Sequence, residues 1–149
     1  MSKEQELYDQ VNRLKWHSHS QSEISGGWTF LSEPLTSTSW DGDAFSTTGK
    51  TVIDLSAVFG VPAGVKAVFL RIACRDSGSS GASTWFGVSA TNTASEFAVM
   101  TRCGGVGNDY YIENSGYCPC DINGDVYYQC AASGAGTLDV VFQVWGYYI

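Results

Sequence analysis

The residues with the most specific chemistry are His17-Ser18-His19. In an extended segment, side chains at i and i+2 share a face, so both imidazoles point the same way. One chain offers two nitrogen ligands. Three copies around a threefold axis would offer six, an octahedral shell for one transition-metal ion such as iron or nickel. The plainer reading is two solvated histidines in a polar joint. They are the only histidines in the chain, so a Ser-His-Asp or Cys-His site would have to borrow one of them.

Other clusters carry weaker chemistry. Asp41, Asp43, Asp109, Glu113 and Asp121 could supply the two carboxylates of a glycosidase, which sit about 5 to 9.5 Å apart, but spacing alone brings no two together. No Gly-x-Ser-x-Gly elbow, Walker A loop or Gly-x-Gly-x-x-Gly before a helix is present, and Gly104-Gly105-Val106-Gly107 reads as a loop. The expectation is a chain that is not an enzyme. Asp121-Ile122-Asn123-Gly124-Asp125 begins like a calcium loop and then fails, with Val126 in place of glycine and Ala132 in place of glutamate. An Asn-Gly type I′ hairpin turn is expected there. Cys118-Pro119-Cys120 could be a redox pair, or half of a zinc site with Cys103 and Cys130. One intervening residue is unusual for zinc, and a disulfide across it would close a strained ring. The expectation is two small apolar side chains on a core strand, with Pro119 placing that strand at an edge or bulge. The chain holds five cysteines, an odd number, and free buried thiols are expected.

Aromatic residues are the remaining candidates. Trp28, Trp40, Trp85, Trp145 and the doublets Tyr110-Tyr111, Tyr127-Tyr128 and Tyr147-Tyr148 are spread along the chain. In a doublet on a strand, one ring points to the core and the other outward. Outward rings serve as subunit interface or as platforms that stack on sugars. Trp28, Trp40, Trp85, Tyr111, Trp145 and Tyr147 are the residues expected in such a glycan or interface contact.

Two zones must position these groups. Residues 1–25 hold both histidines and carry a net charge of −1, from Lys3, Arg13 and Lys15 against Glu4, Glu6, Asp9 and Glu23. Ser2 followed by Gln5 fits a capping box. Leu7, Val11 and Leu14 recur at spacings of four and three, one narrow apolar stripe running up to Trp16. Two heptads do not stand alone, so this helix needs a partner, either a copy of itself or another protein. Leu7, Val11, Leu14 and Trp16 are therefore the expected anchor of an oligomerising arm. Ser25-Gly26-Gly27 marks a joint.

Residues 26–149 alternate with period two. Val68, Leu70, Ile72 and Cys74 form one apolar face, as do Val126, Tyr128 and Cys130, and Leu138, Val140, Phe142 and Val144. The opposite face of the last strand is itself apolar at Val141, Trp145 and Tyr147, which suggests a subunit contact. Weaker strands fall near 27–31, 51–55, 84–90, 95–103 and 109–113, separated by Gly/Ser/Asn turns. No helical pattern follows the first. The expected fold is all-β, an antiparallel β-sandwich of jelly-roll type, carrying a short N-terminal helical arm.

Composition agrees with that class. Charged residues make up only 15% of 149, hydrophobic residues 44% and aromatics 13%, and glycine is frequent. A net charge of −7 with no basic stripe argues against nucleic acid as a partner. No apolar run is long enough for a membrane helix, so no membrane insertion is expected. Met1 runs into Ser2-Lys3-Glu4-Gln5-Glu6, without the apolar stretch of a secretory signal, and synthesis in a cytoplasm is expected.

The stretch Thr51-Val52-Ile53-Asp54-Leu55-Ser56 through Val61-Pro62-Ala63-Gly64-Val65-Lys66-Ala67-Val68 resembles one common in bacteriophage tail and fibre proteins. So does the ending, Asp121 to Tyr128 followed by Leu138 to Tyr148. The resemblance covers residues 51–75 and 117–149. It implies a virion structural protein, a short homotrimeric fibre or appendage with a β-sandwich head. Residues 1–25 would anchor it to other virion proteins. It would be a tail fibre for host adhesion, touching a host surface glycan, or a head fibre or capsid decoration. His-x-His segments in phage fibres hold a metal on the trimer axis, and by that likeness His17 and His19 would be the ligands. Phage fibres often carry several such segments, whereas this chain has one. The alternative is a free-standing, lectin-like carbohydrate-binding sandwich.

Overall fold

The structure, a computed structural model, describes residues 26–40, 48–79, 81–104 and 107–149. The expected helical arm with Leu7, Val11, Leu14 and Trp16, the His17–His19 pair, and Asp41 and Asp43 lie outside the described residues. The strands are β1 (Trp28–Leu35), β2 (Thr51–Ile53), β3 (Ala67–Asp76), β4 (Trp85–Ser89), β5 (Val99–Arg102), β6 (Ile112–Pro119), β7 (Val126–Ala131) and β8 (Leu138–Tyr148). One short helix, α1 (Leu55–Phe59), follows β2. Two antiparallel four-stranded sheets face each other, ordered β1-β8-β3-β6 and β2-β7-β4-β5. The chain is an all-β sandwich, as its two-residue periodicity requires.

The alternation selects the core directly. Val68, Leu70, Ile72 and Cys74 of β3 point inward with Leu138, Phe142 and Val144 of β8. Opposite them lie Phe86, Val88, Val99, Val126, Tyr128 and Cys130 of the second sheet. Fully burying each such aliphatic or Phe side chain contributes about 1.5–3 kcal/mol. β3 and β8 pair from Ala67↔Tyr148 to Asp76↔Leu138 and occupy the centre of the first sheet. Along one side the two sheets are tied edge to edge. Thr101 Oγ1 donates to the Ile112 carbonyl at 2.9 Å, and Asn114 Nδ2 to the Met100 carbonyl at 2.9 Å.

Three local expectations are corrected. Residues 51–55 are not all strand: Asp54 caps α1, its Oδ1 accepting from Ala57 N at 2.9 Å, and Gly60 ends it at φ 72°. A helix of five residues is too short to show a 3.6-residue period, so alternation alone did not reveal it. The Asn123-Gly124 turn is not a type I′ hairpin. Gly124 N bonds the Asp121 carbonyl, Gly124 alone of the pair has positive φ, and the strands it joins, β6 and β7, belong to different sheets.

The third correction concerns the last strand. Leu70 pairs with Val144 but Phe69 pairs with Gly146, so Trp145 is an extra residue, a β-bulge. The bulge reverses the phase beyond it. Tyr147, expected outward, pairs with buried Val68 and packs on the core, while Tyr148 takes the outer face.

Loops are held by two polar hubs. Asp76, 1% exposed, accepts from Ser133 N and Oγ, Thr137 Oγ1, Gly78 N and Ser79 N. Lys50 Nζ donates to Ser89 Oγ and to the carbonyls of Thr91 and Glu96, and lies 4.6 Å from the Phe97 ring centroid. No helix among the described residues is long and apolar enough to cross a membrane.

Candidate functional site: an aromatic patch on the outer face of the first sheet

The outer face of the first sheet is built in rows. Trp28, Tyr148 and Ala67 are neighbours in one row, and Phe30, Gly146, Phe69 and Tyr117 in the next outward row. These rows place five aromatic side chains at one end of the sheet. Trp28 meets Tyr117 edge-on with ring centroids 4.8 Å apart, although β1 and β6 are the two edges of the sheet. At about 4.8 Å per strand their backbones stand roughly 14 Å apart, so both side chains must lean over the centre. The centre has room because two of its four outward positions at this end are Ala67 and Gly146. A Cβ at Gly146 would lie 3.2 Å from Phe30 Cδ1 and 2.9 Å from the Thr29 carbonyl oxygen.

The rings contact one another in sequence. Trp28 stacks near Phe30 at 5.9 Å and touches Tyr148 at 5.8 Å. Phe69 bridges Phe30 at 6.5 Å and Tyr117 at 5.0 Å. Aromatic pairs in this range contribute about 0.5–1.5 kcal/mol beyond area burial. The patch is nevertheless open to water: Trp28 is 37% exposed, Tyr117 56% and Phe30 63%. Contiguous exposed apolar surface is uncommon on monomeric proteins, which makes this face the candidate site.

Polar groups border it on one side. Lys66 Nζ stands 5.8 Å from the Tyr148 ring centroid. The same lysine lines an open groove of about 460 Å³ with Gly64, Val65, Cys120, Asp121 and Ile122. The other end of the face is charged. Arg71 pairs with Glu113 at 2.6 Å, and Arg75 with Asp139 at 2.7 Å and Asp109 at 3.3 Å. These pairs are a third to half exposed and contribute little stability, but they make that end of the sheet wettable.

The structure scatters the aromatic residues singled out from sequence. Trp28 alone joins the patch. Trp40 is a correction: it plugs one end of the sandwich against Phe59, Phe86, Tyr128 and Phe142 and is no surface platform. Trp85 lies on the outer face of the second sheet, covered by Phe97 at 5.1 Å. Tyr111 sits under the Arg75 guanidinium at 4.7 Å, at the charged end. Trp145 faces outward from the bulge, half-buried, its Nε1 donating to Gln143 Oε1 at 3.2 Å. Tyr147 is turned to the core. Phe30, Phe69, Tyr117, Tyr148 and Lys66 are the members that sequence reasoning missed. Phe69 carried a signal, being apolar at an outward position of β3. Tyr117 carried none that survived placing β6 near 109–113.

The chemistry-bearing clusters have structural partners. Asp109 and Glu113 are in the ion pairs above. The Asp121 carboxylate accepts from Asn123 N and Asp125 N, both at 2.9 Å, and so builds its own turn. Cys118 is buried on edge strand β6 and Cys120 half-buried just after it. Burial pushes both thiols up to about 12, so neither is a thiolate at neutral pH. Among the described residues, no three His, Cys, Asp or Glu side chains converge as metal ligands. Compared with known proteins, the chain matches no family model, no curated protein and no solved structure.

Proposed function

We propose that the protein is a non-enzymatic virion structural protein of a bacteriophage, a short trimeric appendage anchored by residues 1–25 and displaying the sandwich as its head. The supporting observation is the location of the aromatic patch. The chain enters the sandwich at Gly26, against the backbone of Ile149 and the ring of Tyr148, and Trp28 follows at once. Copies joined through residues 1–25 would bring this end of each first sheet together at millimolar effective concentration. Exposed rings at that place then become the contact between heads, while the charged end of the same face stays in solvent. The threefold count, and His17 and His19 as ligands of one iron or nickel ion per trimer, rest on the resemblance to phage fibres. Tail or capsid would be the site of attachment.

Native mass spectrometry of the full-length protein tests this reading. A species of about 48 kDa is expected, three times the 16.0 kDa of one chain. Leu7→Asp with Leu14→Asp should yield monomer. Trp28→Ser with Tyr117→Ser should lower the temperature at which the trimer dissociates. One metal ion per trimer, lost in His17→Ala, would assign the ligands. A monomer at all concentrations, and absence of the chain from purified particles of the source phage, would overturn the proposal.

A second reading is favoured by the groove that adjoins the rings. Tyr148, under Lys66 and in contact with Trp28, links the exposed rings of Trp28 and Tyr117 to a groove that carries Lys66 and Asp121, combining stacking surface with hydrogen-bonding groups as a carbohydrate-binding sandwich requires. Saturable binding of a monomer on a glycan array, lost in Tyr117→Ala, would favour it over the appendage.

A further inference from the structure

The reading above uses none of the five cysteines, and two of the buried ones meet. Cys74 lies on β3 and points into the sandwich from the first sheet, between Ile112 and Val140 in register. Cys103 directly follows β5 of the second sheet, its N–H donating to the Thr84 carbonyl. Their Sγ atoms are 3.7 Å apart, and the residues are 0% and 2% exposed. A sulfur–sulfur bond is about 2.05 Å long, so the two atoms need close only about 1.7 Å to bond.

We propose that Cys74 and Cys103 are a latent inter-sheet disulfide, closed by a small-molecule disulfide such as oxidised glutathione once the protein leaves a reducing compartment. The Cys103 thiolate attacks one sulfur of the reagent. The reagent's S–S bond breaks, and one glutathione leaves and takes up the proton lost by Cys103. The Cys74 thiolate then attacks the Cys103 sulfur and expels the second glutathione, which takes up the second proton. Two protein thiols are oxidised, one reagent disulfide is reduced to two thiols, and no other oxidant is needed.

Position sets the order of the two steps. Cys103 borders Gly104 and the connection to β6, whereas Cys74 is held between strands on both sides. Local opening at the end of β5 therefore exposes Cys103 first. Burial raises both thiols, Cys74 up to about 12, so the folded protein reacts slowly and resists adventitious oxidation. The link would enclose residues 75–102 and join the two sheets covalently beside the Thr101–Ile112 hydrogen bond that already ties their edges. This pairing stands independently of the appendage reading.

The test uses the full-length protein with its five cysteines. It is incubated folded with oxidised glutathione, and in parallel refolded from denaturant in a glutathione redox buffer, which removes the access barrier. Alkylation under denaturing conditions should count three thiols after oxidation and five after dithiothreitol. Peptide mapping should show a Cys74–Cys103 link, and Tm should rise by about 10 °C, reversibly. Cys103→Ser should abolish the rise and Cys118→Ser should keep it. Five alkylatable thiols after both treatments, a link between other cysteines, or a rise that survives in Cys103→Ser would each overturn the proposal.

Discussion

Asp76 ends a strand and opens a Ser/Gly-rich turn, which in sequence looks like a solvated corner. In the fold it is the buried acceptor for five donors from two loops. Burial by itself would raise its pKa; the hydrogen bonds from Ser133, Gly78 and Thr137 outweigh burial and leave it lowered. A carboxyl with a lowered folded pKa contributes stability above its unfolded value, about 4, and loses it as pH falls through the folded value. Asp125 has the opposite sign. Burial, with Asp54 and Asp121 nearby, raises its pKa against the hydrogen bond from Leu55 N. Its contribution is present at low pH and is lost as pH rises through the raised value. Asp76→Asn should therefore cost about 2–3 kcal/mol at pH 7 and flatten the acid limb of a stability–pH curve measured by urea unfolding. Asp125→Asn should leave the acid limb and remove the decline above it.

Gly87 makes a second argument at this scale. A Cβ there would stand 2.5 Å from Phe97 Cδ1, so only glycine lets the Phe97 ring lie on the sheet beside Trp85. Gly87→Ala should cost about 1–2 kcal/mol by overpacking and should shift Trp fluorescence as Phe97 lifts. A melt unchanged from the parent would show that the loop absorbs the methyl group freely.

Among the elements, β8 decides most. It is the only strand paired to both β1 and β3, and its bulge at Trp145 exchanges the faces of Tyr147 and Tyr148. Adjacent residues thereby acquire different duties, one in the core and one in the patch. Tyr147→Ala should lower stability by about 2–4 kcal/mol, read in thermal unfolding. Tyr148→Ala should cost less stability and show itself in self-association instead. Equal effects in both assays would contradict the face assignment.

For the molecule as a whole, pairing is long-range. Residues 67–76 wait for 138–148 before the first sheet can form, and β1 waits for the same strand. Refolding followed by Trp fluorescence should accordingly take milliseconds to seconds, not microseconds. The same topology explains the division of the outer face. Strands distant in sequence deliver the outward residues of one end to the aromatic patch and those toward the opposite end to the charged cluster, where Arg71, Arg75, Glu113 and Asp139 pair.

The sequence by itself determined the all-β class and most of the core, because strand alternation is a local pattern that chooses a face residue by residue. Val68, Leu70, Ile72, Val126, Leu138 and Val144 could be assigned inward without knowing their partners. Only the tertiary structure decided which sheet each strand joined, that Trp40 is a plug, that Asp76 is buried, and that Trp28, Phe30, Phe69, Tyr117 and Tyr148 meet. The physical reason lies in register. One inserted residue at Trp145 reverses every face beyond it, and neighbours across a sheet are set by pairings between segments up to 120 positions apart, as Trp28 and Tyr148 are.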